Sequence, residues 1–343
     1  MKILIVSGFL GAGKTTFIKE LIRHTAVRPV IMENEYGETN LDSQDLKQSV
    51  TEQKDMQILE FMEGCVCCTM KDRFVNSVLT IFSGIDPEYL VIEPTGVGRL
   101  SNILKNLKPI LHDNISLLKP VVVLAPQTYD YNMSEWPEIY TDQISNAGTV
   151  VLSKVENQAP AVIEDTAARI RKINPDAEIV TEHYSTRPDE WWQSLMEMHQ
   201  EESAVIHETP AGEALDQMTF QTARLHRPAE LIILLEDCAR GELGRIARAK
   251  GVIPAGGEML RFDLADRQYA VTGAADTKTQ CVFIGTGLDI DALYRRLGTT
   301  PDDERMYITS LRTSSPTATP RRDHYKKGKT IAPICAPIWD RSK

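Results

Sequence analysis

The stretch GFLGAGKTT, residues 8–16, follows a short apolar run and precedes a helical pattern that begins near Lys14. Glycines at this spacing let the backbone curl until several N–H groups point at one anion, and the following helix adds a positive dipole. Lysine then supplies charge to the β- and γ-phosphates, and the Thr15 hydroxyl can bind Mg²⁺. The motif predicts a nucleoside triphosphate site, whereas a plain glycine-rich turn is the alternative. Its residues would be Gly8, Gly11, Ala12, Gly13, Lys14, Thr15 and Thr16.

Short apolar runs alternate with helical patterns through residues 1–180. The runs predict buried strands at Ile3–Val6, Val30–Met32, Ile58–Phe61, Tyr89–Ile92, Val121–Leu124 and Thr149–Leu152. Helical spacing appears at Thr15–His24, Lys71–Phe82 and Ala161–Ile173. This alternation predicts an α/β fold with a mostly parallel sheet covered on both faces. Together with the phosphate-loop motif at residues 8–16, it indicates the architecture of a P-loop NTPase.

The rest of the chain divides into three parts. Residues 181–216 are predicted to form an acidic amphipathic connector, with Trp191 and Trp192 anchoring one of its faces. Residues 301–343 are predicted to form a basic flexible tail. Between them, residues 217–300 predict a smaller α+β domain with a ferredoxin-like arrangement. Its elements would be strands at Phe220–Leu225, Gly244–Ile253 and Val282–Gly285, a hairpin at Met259–Leu264 and Gln268–Val271, and helices at Pro228–Ala239 and Asp289–Leu297.

The composition excludes several classes of protein. With 343 residues and a formal net charge of -10, the chain is acidic, and nonspecific binding to nucleic acid is not its expected role. No apolar run approaches the ~20 residues that span a bilayer, and the first residues lack a signal-peptide cleavage pattern. We therefore expect a cytoplasmic protein that binds neither nucleic acid nor membrane.

Acidic residues follow two of the predicted strands. Glu93 ends one strand and begins the motif EPTG, so it should face a metal beside the phosphate loop and take part in catalysis, while Gly96 approaches the γ-phosphate. The segment ENEYGE, residues 33–38, follows another strand and with Asp42 forms an acidic loop that could sense the γ-phosphate. Glu35 and Asp42 are candidate metal ligands, and Glu33, Glu35 or Glu63 could complete the ligand shell of a metal held by the nearby cysteines.

The segment SKVE, residues 153–156, follows a strand at the position where guanine is usually read. An acid there accepts two hydrogen bonds from the guanine edge, and a lysine lies over the ring. The usual pattern is Asn-Lys-x-Asp, in place of which this chain has Ser153, Lys154, a valine and Glu156. The segment favours guanine, and the alternative is an ordinary helix-capping serine followed by surface charges.

Three of the six cysteines crowd into four positions, at Cys65, Cys67 and Cys68. Thiolates are soft ligands suited to zinc and, in the right geometry, cobalt. Three of them close together leave a fourth coordination position open, which suits transfer of the metal to a partner. A redox pair and cysteines of a helix-start turn are the plainer alternatives.

Together these motifs resemble the CobW family of P-loop GTPases, relatives of the nickel-insertion GTPases for hydrogenase and urease. The resemblance rests on GFLGAGKTT (8–16), ENEYGE (33–38), GCVCC (64–68), EPTG (93–96) and the degenerate SKVE (153–156), with RAKG (248–251) and VFIG (282–285) in the second domain. It implies GTP hydrolysis coupled to handling of a transition metal, most often zinc, or cobalt for corrinoid enzymes.

The resulting hypothesis is a metallochaperone GTPase that uses GTP, Mg²⁺ and Zn²⁺ or Co²⁺. Its partners would be GTP and GDP, a client metalloprotein or corrinoid protein, and a second copy of the chain in a homodimer. Three rivals remain open: a GTPase that gates corrinoid loading, a non-catalytic zinc sensor with a vestigial phosphate loop, and a P-loop small-molecule kinase.

Overall fold

The computed structural model describes residues 1–25, 27–36, 58–63, 70–201, 203–210, 215–275 and 278–305, without the side chains of 34–36, 58–63 and 70–73. Several predicted features lie outside this description: Asp42, the side chain of Glu35, the end of the ENEYGE motif (37–38), the cysteines Cys65, Cys67 and Cys68, and residues 306–343 of the predicted tail. The described residues form two β-sheets with helices packed against each.

The larger sheet contains all six strands that the apolar runs predicted. It consists of β1 (Lys2–Ser7), β2 (Val30–Tyr36), β3 (Ile58–Glu63), β4 (Tyr89–Glu93), β5 (Ser116–Leu117), β6 (Val121–Leu124), β7 (Thr149–Leu152) and β8 (Glu178–Val180). Its order is β3-β2-β4-β1-β6-β7-β8, with β5 beside β1, and the paired strands run parallel. The predicted parallel sheet is therefore confirmed, and the carboxyl ends of its strands meet at one edge.

Burial on both faces explains why these strands are apolar throughout. In β1, Ile3 and Ile5 join one hydrophobic cluster, whereas Leu4 and Val6 join another on the opposite face. This alternation follows from the two-residue period of a strand. The helices that cover the sheet are α1 (Lys14–His24), α2 (Met70–Gly84), α3 (Leu100–Leu107), α4 (Tyr129–Glu135), α5 (Pro137–Ser145), α6 (Pro160–Ile173) and α7 (Asp189–Leu195).

The acidic segment, residues 181–216, carries α7, and this helix packs against α1. Trp192 is 0% exposed and lies 5.1 Å from Phe17 between ring centroids. His24 stacks on the same indole at 5.1 Å with an interplanar angle of 3°. Trp192 therefore holds this segment to the sheet domain, since a buried aromatic ring dominates the local packing.

The smaller sheet is antiparallel and lies C-terminal to the first. Its strands are β9 (Asp216–Phe220), β10 (Arg245–Ala255), β11 (Glu258–Ala265), β12 (Gln268–Gly273) and β13 (Gln280–Thr286), in the order β12-β11-β10-β13-β9. Helix α8 (Pro228–Arg240) connects β9 to β10, and α9 (Ile290–Arg296) follows β13. This arrangement is not ferredoxin-like, because four consecutive strands separate the two helices.

The first strand of this sheet ends where the sequence predicted that it begins. The Glu304 carboxylate accepts the backbone N–H groups of Gln221 and Thr222 at 2.9–3.0 Å, so these groups leave the sheet. Further along, the N–H of Leu225 donates to the carbonyl of Pro254. The predicted strand Phe220–Leu225 was therefore wrong, because a distant carboxylate terminates the sheet pairing.

The two sheets share a packed interface. Ala247, Val282 and Ile284 of the smaller sheet are buried in the same hydrophobic cluster as one face of the larger sheet. The Arg245 guanidinium lies 4.6 Å from the ring centroid of Trp136, in the loop between α4 and α5. This face of the second domain is thereby held against the first. Among the described residues, every helix is too short or too polar to cross a membrane.

Candidate functional site

The phosphate loop, residues 8–15, leaves β1 in a backbone conformation that requires glycine. Gly8 has φ 140°, and a Cβ there would lie 2.2 Å from the carbonyl oxygen of Val123. Gly13 has φ 94° and is the N-cap of α1, whose N-terminus carries no side-chain cap within the described residues. The loop therefore presents backbone N–H groups and a helix N-terminus, which together suit a phosphate group.

Lys14 and Thr15 open α1 at the carboxyl edge of the sheet. The Lys14 side chain is 8% exposed, and its ammonium donates to the carbonyl of Phe9 at 3.3 Å. The Thr15 hydroxyl lies 3.0 and 3.2 Å from the two oxygens of Glu93, at the end of β4. A hydroxyl and a carboxylate are thus joined beside the predicted phosphate site.

A second carboxylate reaches the same edge from the neighbouring strand. Glu33 of β2 is buried and stands in register with Glu93 on β4, directly across the parallel pair. Two neighbouring carboxylates repel each other unless a cation lies between or beside them. Carboxylate and hydroxyl oxygens are the ligands that Mg²⁺ prefers, so this donor set fits that ion.

The loop after β4 comes very close to the phosphate loop. A Cβ on Gly96 would lie 2.5 Å from the backbone nitrogen of Leu10, so only glycine permits this approach. The buried amide of Gln143 donates to the carbonyls of Gly96 at 3.1 Å and Gly98 at 3.0 Å. Helix α5 therefore supports the backbone at the position that sequence assigned to the γ-phosphate, a contact that no sequence motif indicated.

The predicted base loop, residues 153–156, is tied to the phosphate loop. The Ser153 hydroxyl is buried, 2.6 Å from the carbonyl oxygen of Ala12 and 3.2 Å from that of Leu124. Lys154 is exposed with φ 54°, and Glu156 is exposed. The Glu156 carboxylate lies 2.7 Å from Nε2 of His183, a partner that sequence reasoning missed because it comes from another element.

The smaller sheet adds a buried lysine to this region. Lys250 of β10 is 5% exposed and stands in register with Asp263 on β11. Burial, and next the nearby Lys14 ammonium, lower its pKa to about 8, while Asp263 and Glu33 act in the opposite direction. Lys250 therefore lies within electrostatic range of the phosphate site, a placement that the motif RAKG (248–251) does not indicate.

The structure brings the predicted nucleotide residues together at one edge of the sheet. Phosphate-loop residues, the Glu93–Gly96 segment and the base loop meet there through the contacts described above. Thr16 is exposed on the first turn of α1. Of the predicted metal ligands, Thr15 and Glu33 are described with their side chains; the other six lie outside the described side chains, namely Cys65, Cys67, Cys68, Glu35, Asp42 and Glu63.

Comparison with protein families gives two matches that cover most of the chain. The model described as CobW/HypB/UreG, nucleotide-binding domain, matches residues 2–181. The model described as Cobalamin synthesis protein cobW C-terminal domain matches residues 215–300. These ranges correspond to the larger and the smaller sheet.

Curated relatives match over shorter stretches. Zinc chaperone YeiR of Escherichia coli (strain K12) is 31% identical over 159 residues, covering 46% of this chain and 47% of that protein. Zinc-regulated GTPase metalloprotein activator 1 of Dictyostelium discoideum is 22% identical over 222 residues, covering 55% and 47%. The chain thus spans about half the length of these relatives.

Among solved structures, the crystal structure of Zn(II)-bound YjiA GTPase from E. coli aligns at 18% identity over 87% of this chain and 98% of that chain. The TM-score of this alignment is 0.42, which is too low to support an argument.

Proposed function

The chain belongs to the CobW/HypB/UreG family, and on that premise we propose that it hydrolyses GTP and delivers a transition metal to a client protein. The observation that carries the hydrolytic part is the contact of the Thr15 hydroxyl with both oxygens of Glu93, 3.0 and 3.2 Å away, beside the phosphate loop. This arrangement provides ligands for Mg²⁺ where the loop provides donors for phosphate.

Each residue then has a distinct task. The backbone N–H groups of the phosphate loop and the Lys14 ammonium bind the β- and γ-phosphates, which spreads positive charge over the group being transferred. Thr15 and Glu93 would hold Mg²⁺, which when bound neutralises charge on the phosphate oxygens. The buried Lys250 adds positive charge from the second domain, and Gly96 lets the backbone approach the γ-phosphate.

The preference for guanine rests on the base loop. Ser153, which replaces the asparagine of the usual pattern, fixes this loop against the phosphate loop through its hydroxyl. Lys154 then lies over the base, and Glu156 accepts hydrogen bonds from the guanine edge. Because the Glu156 carboxylate also pairs with His183, a bound guanine would either displace the His183 ring from this carboxylate or share the carboxylate with it.

The metal cargo is proposed to be zinc, bound through Cys65, Cys67 and Cys68, with cobalt as the alternative. The names of the relatives, zinc chaperone and zinc-regulated GTPase metalloprotein activator, support zinc. Thiolates bind zinc strongly, and three of them leave one position for a ligand from the client. The client itself, a metalloprotein or a corrinoid protein, is a further part of the proposal.

Strand order supports communication between nucleotide and metal. The cysteines follow β3, which pairs with β2, and β2 pairs with β4, the strand that ends in Glu93. All three strands are parallel, so the chain leaves them at the same edge of the sheet. Binding of GTP near Glu33 and Glu93 is therefore proposed to change metal affinity at the next strand, by ~1–3 kcal/mol of coupling.

Hydrolysis tests the first half of the proposal. Purified wild-type protein should release phosphate from GTP only when Mg²⁺ is present, and Lys14→Ala should abolish this release. Lys19→Ala on the same helix is the matched control, because it removes a lysine outside the phosphate loop. Equal turnover by wild type and Lys14→Ala would refute the assignment.

Zinc binding tests the second half. We expect the triple variant Cys65→Ser, Cys67→Ser, Cys68→Ser to lose the tightest zinc site, while Cys335→Ser retains it. The measurement is competition with a chromophoric chelator. Zinc binding without GTP turnover would favour the sensor, and unchanged zinc affinity in the triple variant would favour a structural role for these cysteines.

A further inference from the structure

Two tight hairpins of the smaller sheet differ in their turn residues. The β10–β11 turn uses Gly256 and Gly257, whereas the β11–β12 turn uses Asp266 and Arg267. All four residues have positive φ, as a two-residue turn of this twist requires. Glycine adopts that conformation freely, but Arg267 at φ 61° does so at a cost, and strain of this kind persists at functional sites.

Both side chains of the strained turn face the first domain. The Arg267 guanidinium lies 5.0 Å from the ring centroid of Tyr131 and 3.9 Å from a carboxylate oxygen of Glu135, both in α4. These contacts fix the turn against the sheet domain. The neighbouring Asp266 is therefore held in one place rather than displayed on a free loop.

That place is beside the phosphate loop. The position of a Cβ on Gly11 lies 3.9 Å from Oδ2 of Asp266 and 3.6 Å from Cβ of Ala265. Burial raises the pKa of Asp266 to about 6, while the Lys154 ammonium, which acts most strongly against it, favours the carboxylate form. The side chain of Asn132 and the Arg248 guanidinium act in the same direction as Lys154. Asp266 thus lies near both a residue that would cradle phosphate and a residue that would contact the base.

In a bound nucleotide the ribose connects the base to the phosphates, so it would lie between the base loop and the phosphate loop. We propose that Asp266 recognises the ribose of the bound nucleotide by accepting hydrogen bonds from its 2′- and 3′-hydroxyl groups. A carboxylate has two acceptor oxygens suited to a vicinal diol, and the same pairing serves ribose recognition in other nucleotide sites. The phosphates are anionic and the carboxylate repels them, so the neutral diol is the part of the nucleotide that it suits.

This inference rests on the proposed nucleotide function and extends it to the second domain. The ligand would contact both sheets at once, with phosphates on the loop after β1 and ribose on the β11–β12 turn. Nucleotide binding would then strengthen the docking of the second domain on the first, through the ribose as well as through the charge of Lys250.

The test compares GDP with 2′,3′-dideoxy-GDP by calorimetric titration, which avoids turnover. Wild type is expected to bind GDP at least tenfold more tightly than the dideoxy compound. Asp266→Asn keeps the shape and tolerates positive φ, and Asp266→Gly removes the side chain while easing the turn. Both should bring the two affinities within about threefold, whereas Glu258→Gln at the far end of β11 should leave the wild-type ratio.

One result would overturn the assignment of Asp266 while leaving the proposed function standing: a GDP-to-dideoxy ratio that stays at the wild-type value in Asp266→Asn and Asp266→Gly. If both compounds also bind these variants more tightly, by equal factors, the carboxylate merely repels the phosphates. Failure of wild type to bind either compound would instead refute the nucleotide function, and the ribose assignment with it.

Discussion

Ser153→Ala should uncouple the base loop from the phosphate loop. The Ser153 hydroxyl is 2% exposed, and it lies 2.6 Å from the carbonyl oxygen of Ala12. Removing it leaves that buried carbonyl without this donor, and a lost buried hydrogen bond of this kind costs about 1–2 kcal/mol. We therefore expect the free energy of unfolding to fall by about that amount.

The same contact should matter for ligand binding, because the nucleotide must hold both loops in place. If the contact orders the two loops before binding, its loss weakens GDP affinity by the same free energy, about 5- to 30-fold. Thr166→Val is the matched control. Thr166 is also 2% exposed, and its hydroxyl donates to the carbonyl of Val162 at 2.8 Å inside α6, away from the site.

Chemical denaturation and calorimetric titration of GDP measure the two effects separately. Both variants should lose stability to a similar extent, but only Ser153→Ala should lose GDP affinity. Equal GDP affinity in wild type and Ser153→Ala, at matched loss of stability in the two variants, would refute the role of this hydroxyl in the site.

Three further predictions address the phosphate end of the site. Glu93→Gln keeps an acceptor for the Thr15 hydroxyl, so the melting temperature should hardly change, while the Mg²⁺ concentration for half-maximal GTP hydrolysis should rise at least tenfold. Gly96→Ala places a Cβ 2.5 Å from the backbone nitrogen of Leu10, and should lower the free energy of unfolding by about 1–3 kcal/mol in denaturant titrations and weaken GTP binding. Burial lowers the pKa of Lys250 from 10.5 to about 8, so its charge destabilises the folded state below pH 8. Lys250→Met should therefore be more stable than wild type at pH 7, and denaturation at stepwise higher pH should show the gap closing between about pH 8 and 10.5; a gap that stays constant would contradict this.

Sequence predicts the larger sheet well because its strands are buried on both faces. Runs such as Val121–Leu124 contain only apolar residues, and each occupies a strand that helices cover. The short strands β5 and β8 gave no such signal, because two or three residues are too few for a pattern. The end of β9 escaped prediction for a different reason: the carboxylate that terminates it, Glu304, lies more than eighty residues away in sequence.

The residues of the candidate site also fall into two groups, those that a sequence motif identifies and those that it does not. Lys14, Thr15 and Glu93 could be named from motifs, because the chemistry of phosphate and Mg²⁺ demands those residue types at the ends of neighbouring strands. Lys250 and Asp266 could not be linked to the site, since docking of the second domain brings them there and no local pattern encodes that docking.

The most direct test of the account is the zinc affinity of the wild-type protein measured with a non-hydrolysable GTP analogue, with GDP and with no nucleotide. Coupling of ~1–3 kcal/mol predicts that zinc affinity differs by at least about fivefold between the GTP analogue and GDP. The difference should disappear in the Cys65→Ser, Cys67→Ser, Cys68→Ser variant. One zinc affinity common to all three nucleotide conditions would contradict a nucleotide-controlled metal carrier.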